Sequence, residues 1–323
     1  MTSQQIFITG ASGCIGHYIV SQLIEQTDHE LFLLVRNPEK LKVDCDARPG
    51  IHVLQGNLKQ IHKYTDLLKT INTAILTAAA WGDPIETYDV NVVKTLELLN
   101  LLDLETCQQV IYFSTASILG HDNQPLKAAG ELGTDYIRTK FICHQNLSKV
   151  AIAPRITTVF PTLVFGGDGK KPYSFLSAGF ADLIKHMNLI RFFRTDGSFH
   201  FIHAYDIAQV IGYLVEHPPA ADQPRKLVLG NPALTVNQAI REISLYLNKS
   251  TFLRIPLFPQ LADLFIILFR IQMAPWDRFS LSYRHFTYES PVNPSRLGLS
   301  PYCETVADLM RIHGVGDRRR TSH

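Results

Sequence analysis

The sequence predicts an α/β protein: a doubly wound parallel sheet followed by a smaller C-terminal lobe. Three observations carry that expectation. Apolar, strand-like runs alternate with helical patterns through the first half of the chain, the texture of buried parallel strands with crossover helices. Three glycines, Gly10, Gly13 and Gly16, separate the first strand from the first helix. After Gly166 the alternation gives way to the loop GGDGKKP and then to helices mixed with irregular, Pro-containing segments.

Taken in order, strands are expected at Ile6–Thr9, Leu31–Val35, Ile51–Gln55, Ala74–Ala80, Val110–Thr115 and Thr157–Val164. Helices are expected at His17–Gln26, at Tyr88–Leu102 and from about Tyr136. A further helix, Asp206–Glu216, and a strand, Lys226–Gly230, read as returning to the sheet. The expected organisation is therefore a nucleotide-binding domain over residues 1–166, rejoined by about 199–231, with 167–198 and 232–323 forming the substrate-binding lobe.

The opening QIFITGASGCIG has the strand–turn–helix form of a dinucleotide-binding unit, in GxxGxxG spacing. Gly10 lets the chain leave the strand in a tight turn, Gly13 lets backbone approach a pyrophosphate, and Gly16 lets helix pack closely on sheet. The helix N-terminus then faces the phosphates.

Bulk properties exclude several classes. With 323 residues the chain can bury a full core, and a formal net charge of +2 offers no polyanion-binding face. The one dense basic run, Arg318–Arg320, reads as a solvated tail. Five cysteines without CxxC spacing indicate neither a disulfide framework nor zinc, and His200 with His203 lack the grouped ligands of a metal site. No metal is expected. A strand within a few residues of Met1 leaves no room for a leader peptide, so the expected compartment is the cytoplasm. Leu261–Phe269 is the most hydrophobic stretch but too short to span a bilayer, which leaves a buried helix, a pocket lid or peripheral membrane contact.

Tyr136 and Lys140 stand four apart, so on a helix they share a face. An ammonium beside a phenol favours the phenolate, and the spacing predicts a tyrosine pulled toward neutral pH and usable as a general acid/base. With 12 tyrosines in the chain the spacing alone is a cheap match, so position decides. The pair follows the strand Val110–Thr115, whose end opens into hydroxyls at Ser114, Thr115 and Ser117, where open α/β sheets bind ligands. Such a hydroxyl can align a substrate oxygen against the tyrosine.

These motifs together resemble the extended short-chain dehydrogenase/reductases, also called the NAD-dependent epimerase/dehydratase family. TGASGCIG at 9–16 is similar to its nucleotide fingerprint, GNL at 56–58 to its GDL motif, and Thr77, Ala78 and Ala79 to the segment beside the cofactor. NVVKT at 91–95, FSTASILG at 113–120, FPTLVFG at 160–166 and FIHAYDIA at 201–208 resemble its NVxGT, FSSxxVYG, RPTxVYG and FIHVDDVA segments. The resemblance implies a Rossmann-type sheet and hydride transfer between nicotinamide and an oxygen-bearing carbon. It implies Thr115, Tyr136 and Lys140 as catalytic groups, with Asn91 supporting the proton-relay helix. It also implies a cofactor held by Gly10, Ser12, Gly13, Cys14, Ile15, Gly16, Asn57, Leu58, Thr77, Ala78, Ala79, Tyr136, Lys140, Pro161, Thr162 and Leu163, and a homodimer through the helices beginning near Tyr88 and Tyr136.

Departures from the pattern narrow the expectation. Val35 stands where NAD-preferring members carry an acid, and Arg36 follows it; with Lys40 this favours NADP, with NAD the alternative. Ala116 and Ser117 replace the Asp-Glu of the 4,6-dehydratases, which argues against dehydration. Ser198–Phe201 replaces an arginine-bearing RDF element and Phe160 the arginine of RPT, so the substrate half has few cations. An NADP-preferring carbonyl/alcohol oxidoreductase acting on a small, apolar molecule is the expectation. A sugar-nucleotide epimerase and a non-catalytic dinucleotide sensor are the alternatives.

Overall fold

In the computed structural model, residues 3–219, 224–251, 255–257 and 273–315 are described. The apolar stretch Leu261–Phe269 and the basic run Arg318–Arg320 lie outside them.

The six N-terminal strands are β1 (Gln5–Thr9), β2 (Glu30–Val35), β3 (Ile51–Gln55), β4 (Thr73–Leu76), β5 (Gln109–Phe113) and β6 (Ile156–Pro161). Short strands β7 (Leu163–Phe165), β8 (Phe193–Arg194), β9 (Ser198–Phe199) and β10 (Phe201–His203) precede β11 (Arg225–Leu229). Seven strands form one sheet in the order β11-β6-β5-β4-β1-β2-β3, every pairing parallel. This is the Rossmann-type arrangement expected, and the order reverses between β1 and β4, where such sheets bind ligands beyond their strand ends.

The period-2 alternation of side chains divides the strands between two cores. Ile6, Ile8, Leu31, Leu33, Ile75 and Ile111 pack on one face with the helices Cys14–Gln26 and Ala204–Glu216. Phe7, Leu34, Leu76, Val110 and Tyr112 pack on the other, with Leu98, Leu99 and Cys143 from the helices Thr95–Leu101 and Asp135–Asn146. All five residues of β5 are buried.

Beyond shifts of one to three residues at other ends, three expected elements differ in course. β4 stops at Leu76, so residues 77–80 are not strand but a loop lining the crevice. The expected strand Thr157–Val164 divides after Pro161: Thr162 N still donates to Leu229 O at 3.0 Å, but Leu163 N turns to His200 O at 3.3 Å, and β7 pairs with β10 instead. The expected helix Tyr88–Leu102 is two short helices, Pro84–Tyr88 and Thr95–Leu101, joined by a wide π turn at Asp89–Lys94. Thr95 Oγ1 donates to the Val90 carbonyl at 2.9 Å within that turn.

The C-terminal segment is tied back to the sheet by buried polar groups. Asp206 accepts from Tyr302 N at 2.6 Å and Cys303 N at 3.0 Å, and Asn231 donates to Cys303 O at 2.8 Å. Phe180, Met187, Ile240, Ile243, Val306 and Leu309 make a core for this lobe. His200 and His203 are structural: both are buried, and His200 bridges the Asn231 carbonyl and Tyr288 N.

Candidate active site

A crevice of about 810 Å³ opens at the carboxyl ends of β1, β4, β5 and β6. Its floor is backbone. Gly10 turns the chain at φ +73°, and a Cβ there would meet Thr77 Oγ1 at 2.5 Å. A Cβ on Gly16 would lie 2.2 Å from the Gly10 carbonyl. Thr77 Oγ1 donates to Thr9 O at 2.7 Å and Ala78 N to Thr9 Oγ1 at 3.3 Å, which joins the β4 loop to the glycine turn. The helix Cys14–Gln26 begins at Gly13 without a side-chain cap, so its first N–H groups remain for an anion. The glycine cradle with its uncapped helix end fits a dinucleotide pyrophosphate.

Ser12, Cys14, Ile15, Arg36, Lys40, Asn57, Leu58, Ala79, Pro161, Thr162 and Leu163 line the same crevice. Arg36 and Lys40 are exposed on its rim, after β2. Asn57 caps the turn Leu58–Tyr64, its Oδ1 accepting from Lys59 N at 3.0 Å. Cys14 carries no reactive thiolate, because burial, with Asp168 nearby, pushes its thiol up to about 12.

At the opposite end, Thr115, Tyr136 and Lys140 converge from two elements. Thr115 lies two residues beyond β5 and caps the turn Ala116–Ile118, its Oγ1 accepting from Ser117 N at 3.3 Å. Tyr136 and Lys140 lie on the helix Asp135–Asn146, which Thr134 caps by accepting from Ile137 N, with Asp135 in the first turn and His144 in the last. Ser114 Oγ is buried beside them with no hydrogen-bond partner among the described residues.

Asn91 does not line the crevice. The π turn aims it inward, where Oδ1 accepts from Ala80 N at 2.8 Å and Nδ2 donates to Ala80 O at 3.1 Å and Thr139 Oγ1 at 3.1 Å. It therefore fastens the β4 loop to the tyrosine's helix.

The expected tuning of Tyr136 by Lys140 is corrected by the geometry. Lys140 Nζ donates to the Phe113 carbonyl at 2.7 Å and lies 5.0 Å from the centre of the Tyr112 ring. Burial lowers Lys140 to about 8, and burial raises Tyr136 above its usual range with no contribution from the lysine. The captured ammonium does not stabilise the phenolate here, so the phenol stays protonated.

Sequence reasoning passed over Trp81. Its indole lies flat on Tyr136, ring centres 3.7 Å apart and planes at 11°. The signal was its place directly after the Thr77–Ala80 loop. Val164, Phe175 and Leu176 also line the crevice and were not singled out.

The model of the NAD dependent epimerase/dehydratase family matches residues 6–230. The chain belongs to this family. Among curated family relatives, UDP-glucose 4-epimerase GEPI42 of Cyamopsis tetragonoloba is 26% identical over 141 residues, 38% of this chain and 39% of that protein. Sterol demethylase protein B of Methylococcus capsulatus is 27% identical over 172 residues, 49% of this chain and 51% of that protein. The chain thus spans about half the length, or less, of these curated relatives. In fold, it resembles the crystal structure of gox2253 with a TM-score of 0.67 at 19% identity, over 97% of this chain and 99% of that one. It also resembles dTDP-glucose 4,6-dehydratase from Bacillus anthracis str. Ames in complex with NAD, with a TM-score of 0.65 at 13% identity and 98% coverage of both chains. No helix among the described residues is long and apolar enough to cross a membrane, and no cluster of His, Cys, Asp or Glu among them could hold a metal ion.

Proposed function

We propose that the chain is an NADP(H)-dependent oxidoreductase acting on the carbonyl or alcohol of a small apolar molecule. The observation that carries this reading is the contrast along the crevice. The loop after β2 presents Arg36 and Lys40 with no acid at Val35, while Trp81 stacks on Tyr136 and Ile137 follows it on an otherwise largely apolar crevice wall. A guanidinium suits a 2′-phosphate, and an apolar wall suits an apolar substrate.

Bound in the cradle, the nicotinamide would supply or accept the hydride. Thr115 Oγ donates a hydrogen bond to the substrate oxygen, and Tyr136, protonated at neutral pH, delivers its proton to that oxygen as charge develops there. Lys140, held by the Phe113 carbonyl, keeps N–H groups for the ribose. Asn91 keeps the tyrosine's helix and the β4 loop at fixed separation.

Epimerisation of a nucleotide sugar is the second reading, favoured by the UDP-glucose 4-epimerases among the relatives. Against it, Phe160 stands in place of the RPT arginine, so that position offers no cation to a substrate diphosphate. The sterol in the name of the Methylococcus relative agrees better with an apolar wall. In a carbonyl screen read by NADPH absorbance, Tyr136→Phe should lower turnover by roughly 10²–10⁴-fold and leave cofactor affinity unchanged. Near-normal turnover would replace this reading with a dinucleotide-sensing role. The same reading includes a homodimer through the helices carrying Ile85 and Tyr88, both exposed, and Tyr136; sedimentation showing monomer at micromolar concentration would remove it.

A further inference from the structure

His17 lies in the first turn of the helix Cys14–Gln26, fully buried and outside the crevice lining. Both its ring nitrogens are engaged. Nδ1 is 2.9 Å from the Gly13 carbonyl, and Nε2 is 2.9 Å from Lys42 N. A carbonyl only accepts and an amide N–H only donates, so Nδ1 carries the proton and Nε2 accepts. Burial lowers the imidazole's pKa, and Lys171 and Lys42 add to that against the Gly13 and Lys40 backbone, which keeps the ring in this neutral form at pH 7.

The two partners belong to the two parts of the cofactor end. Gly13 is in the pyrophosphate cradle, where its N–H donates to Gly10 O at 2.9 Å. Lys42 follows the loop that leaves β2 at Val35, presents Arg36 and turns through Pro38–Lys40, with Asn37 Oδ1 accepting from Glu39 N at 2.9 Å. The loop's other bonds, Lys40 N to Asn37 O and Leu41 N to Pro38 O, are internal, and Leu41 adds apolar contact with the core. Among the described residues, the bond from Lys42 N to His17 is therefore the only hydrogen bond joining residues 36–44 to another element.

We propose that His17 is a positioning residue for cofactor selection: it ties the loop bearing Arg36 to the glycine turn and so sets where a 2′-phosphate is met relative to the pyrophosphate. This rests on the NADP(H) reading above and names the device that would make it work. Pyrophosphate and 2′-phosphate belong to one ligand, so a cation selects NADPH only at a fixed distance from the cradle. Without the tie, the loop must be ordered when the cofactor binds, a cost that falls on NADPH alone because NADH has no group for Arg36 to grip. Lys42 is exposed, so its N–H passes to water when the ring is replaced, and the change falls on the loop's position rather than on a buried unpaired donor.

The test titrates NADPH and NADH separately into the full chain by calorimetry. His17→Phe, which keeps the ring and loses both nitrogens, should weaken NADPH by about 3- to 6-fold and NADH by less than about 1.5-fold, the range of one hydrogen bond. His17→Gln, whose Oε1 can accept from the Lys42 amide, should recover most of the loss. The tie is also cut from the other side, without touching the buried ring. Lys42→Pro removes the N–H, and Leu41 before it, at φ −83° and ψ 108°, already has the extended backbone that a following proline requires. Lys42→Pro should lose NADPH selectively as His17→Phe does, while Lys42→Ala, which keeps the N–H and loses only the charge, should lose less. Combined with Arg36→Ala, His17→Phe should change the NADPH-to-NADH ratio by less than about 1.5-fold, since the clamp it positions is gone. Equal losses of NADPH and NADH, Lys42→Pro no different from Lys42→Ala, or an undiminished effect of His17→Phe beside Arg36→Ala overturns the proposal. A parent preference for NADPH that His17→Phe leaves intact overturns this inference alone, whereas a parent without any preference removes the NADP(H) reading and this inference with it.

Discussion

The two ends of the crevice are built in different materials. At the cofactor end the work falls to backbone: glycines at 10, 13 and 16, an uncapped helix start, and loops joined by Thr9 and Thr77. At the tyrosine end it falls to side chains from segments far apart in sequence, Trp81, Thr115 and Tyr136. The difference teaches that a shared cofactor constrains the chain's conformation, and so residue types at fixed spacing, whereas the substrate constrains only the surface that loops present.

The sharpest way to break that comparison is at Gly16. A Cβ there meets the Gly10 carbonyl at 2.2 Å and Ala11 Cα at 2.8 Å, both backbone atoms that cannot rotate away. Gly16→Val should weaken NADPH by at least about 100-fold, and calorimetric titration within about 2-fold of the parent would show that the cradle is not backbone-built. Next comes the charged side chain assigned to the 2′-phosphate. Arg36→Ala should abolish an NADPH-over-NADH preference of about tenfold, worth roughly 1.4 kcal/mol. Equal affinities in the parent would contradict it.

Lys140 sits where the two ends meet, and its burial sharpens the contrast in stability. Its folded pKa of about 8 lies below the ordinary 10.5, so the folded chain holds this proton less tightly than the unfolded one. The cost is full below pH 8 and fades as pH rises toward 10.5, where the unfolded chain also releases its proton. Lys140→Met should therefore stabilise the cofactor-free chain by about 1–2 kcal/mol at pH 7, with the gain shrinking over that window in urea melts. A loss of stability at pH 7 would mean that the bond to the Phe113 carbonyl outweighs desolvation.

The same contrast decides what could be read from the sequence. Strands such as β1, β2 and β5 were legible because burial on both faces makes them continuous apolar runs. The break after Pro161 was not, since Thr162 and Leu163 keep the apolar, β-branched texture while changing partners from β11 to β10. The π turn at Asp89–Lys94 was hidden because one widened turn hardly alters helical periodicity, yet it is what sends Asn91 inward. Spacing placed Tyr136 and Lys140 on one face but could not show the Phe113 carbonyl that captures the ammonium. Trp81 escaped for a related reason: a tryptophan in a loop has no period, and only its stacking on Tyr136 shows its place.

The claim at the centre is that the tyrosine end serves net hydride transfer to an apolar carbonyl rather than transient oxidation of a sugar. The measurement is one reaction pair: purified chain with NADPH and a panel of apolar ketones, and the same chain with NAD+ and UDP-glucose, each followed for both nicotinamide absorbance and product. Net hydride transfer predicts stoichiometric loss of NADPH with at least one ketone and no UDP-galactose. UDP-galactose formed without net change in nicotinamide, and no ketone reduced, would contradict it.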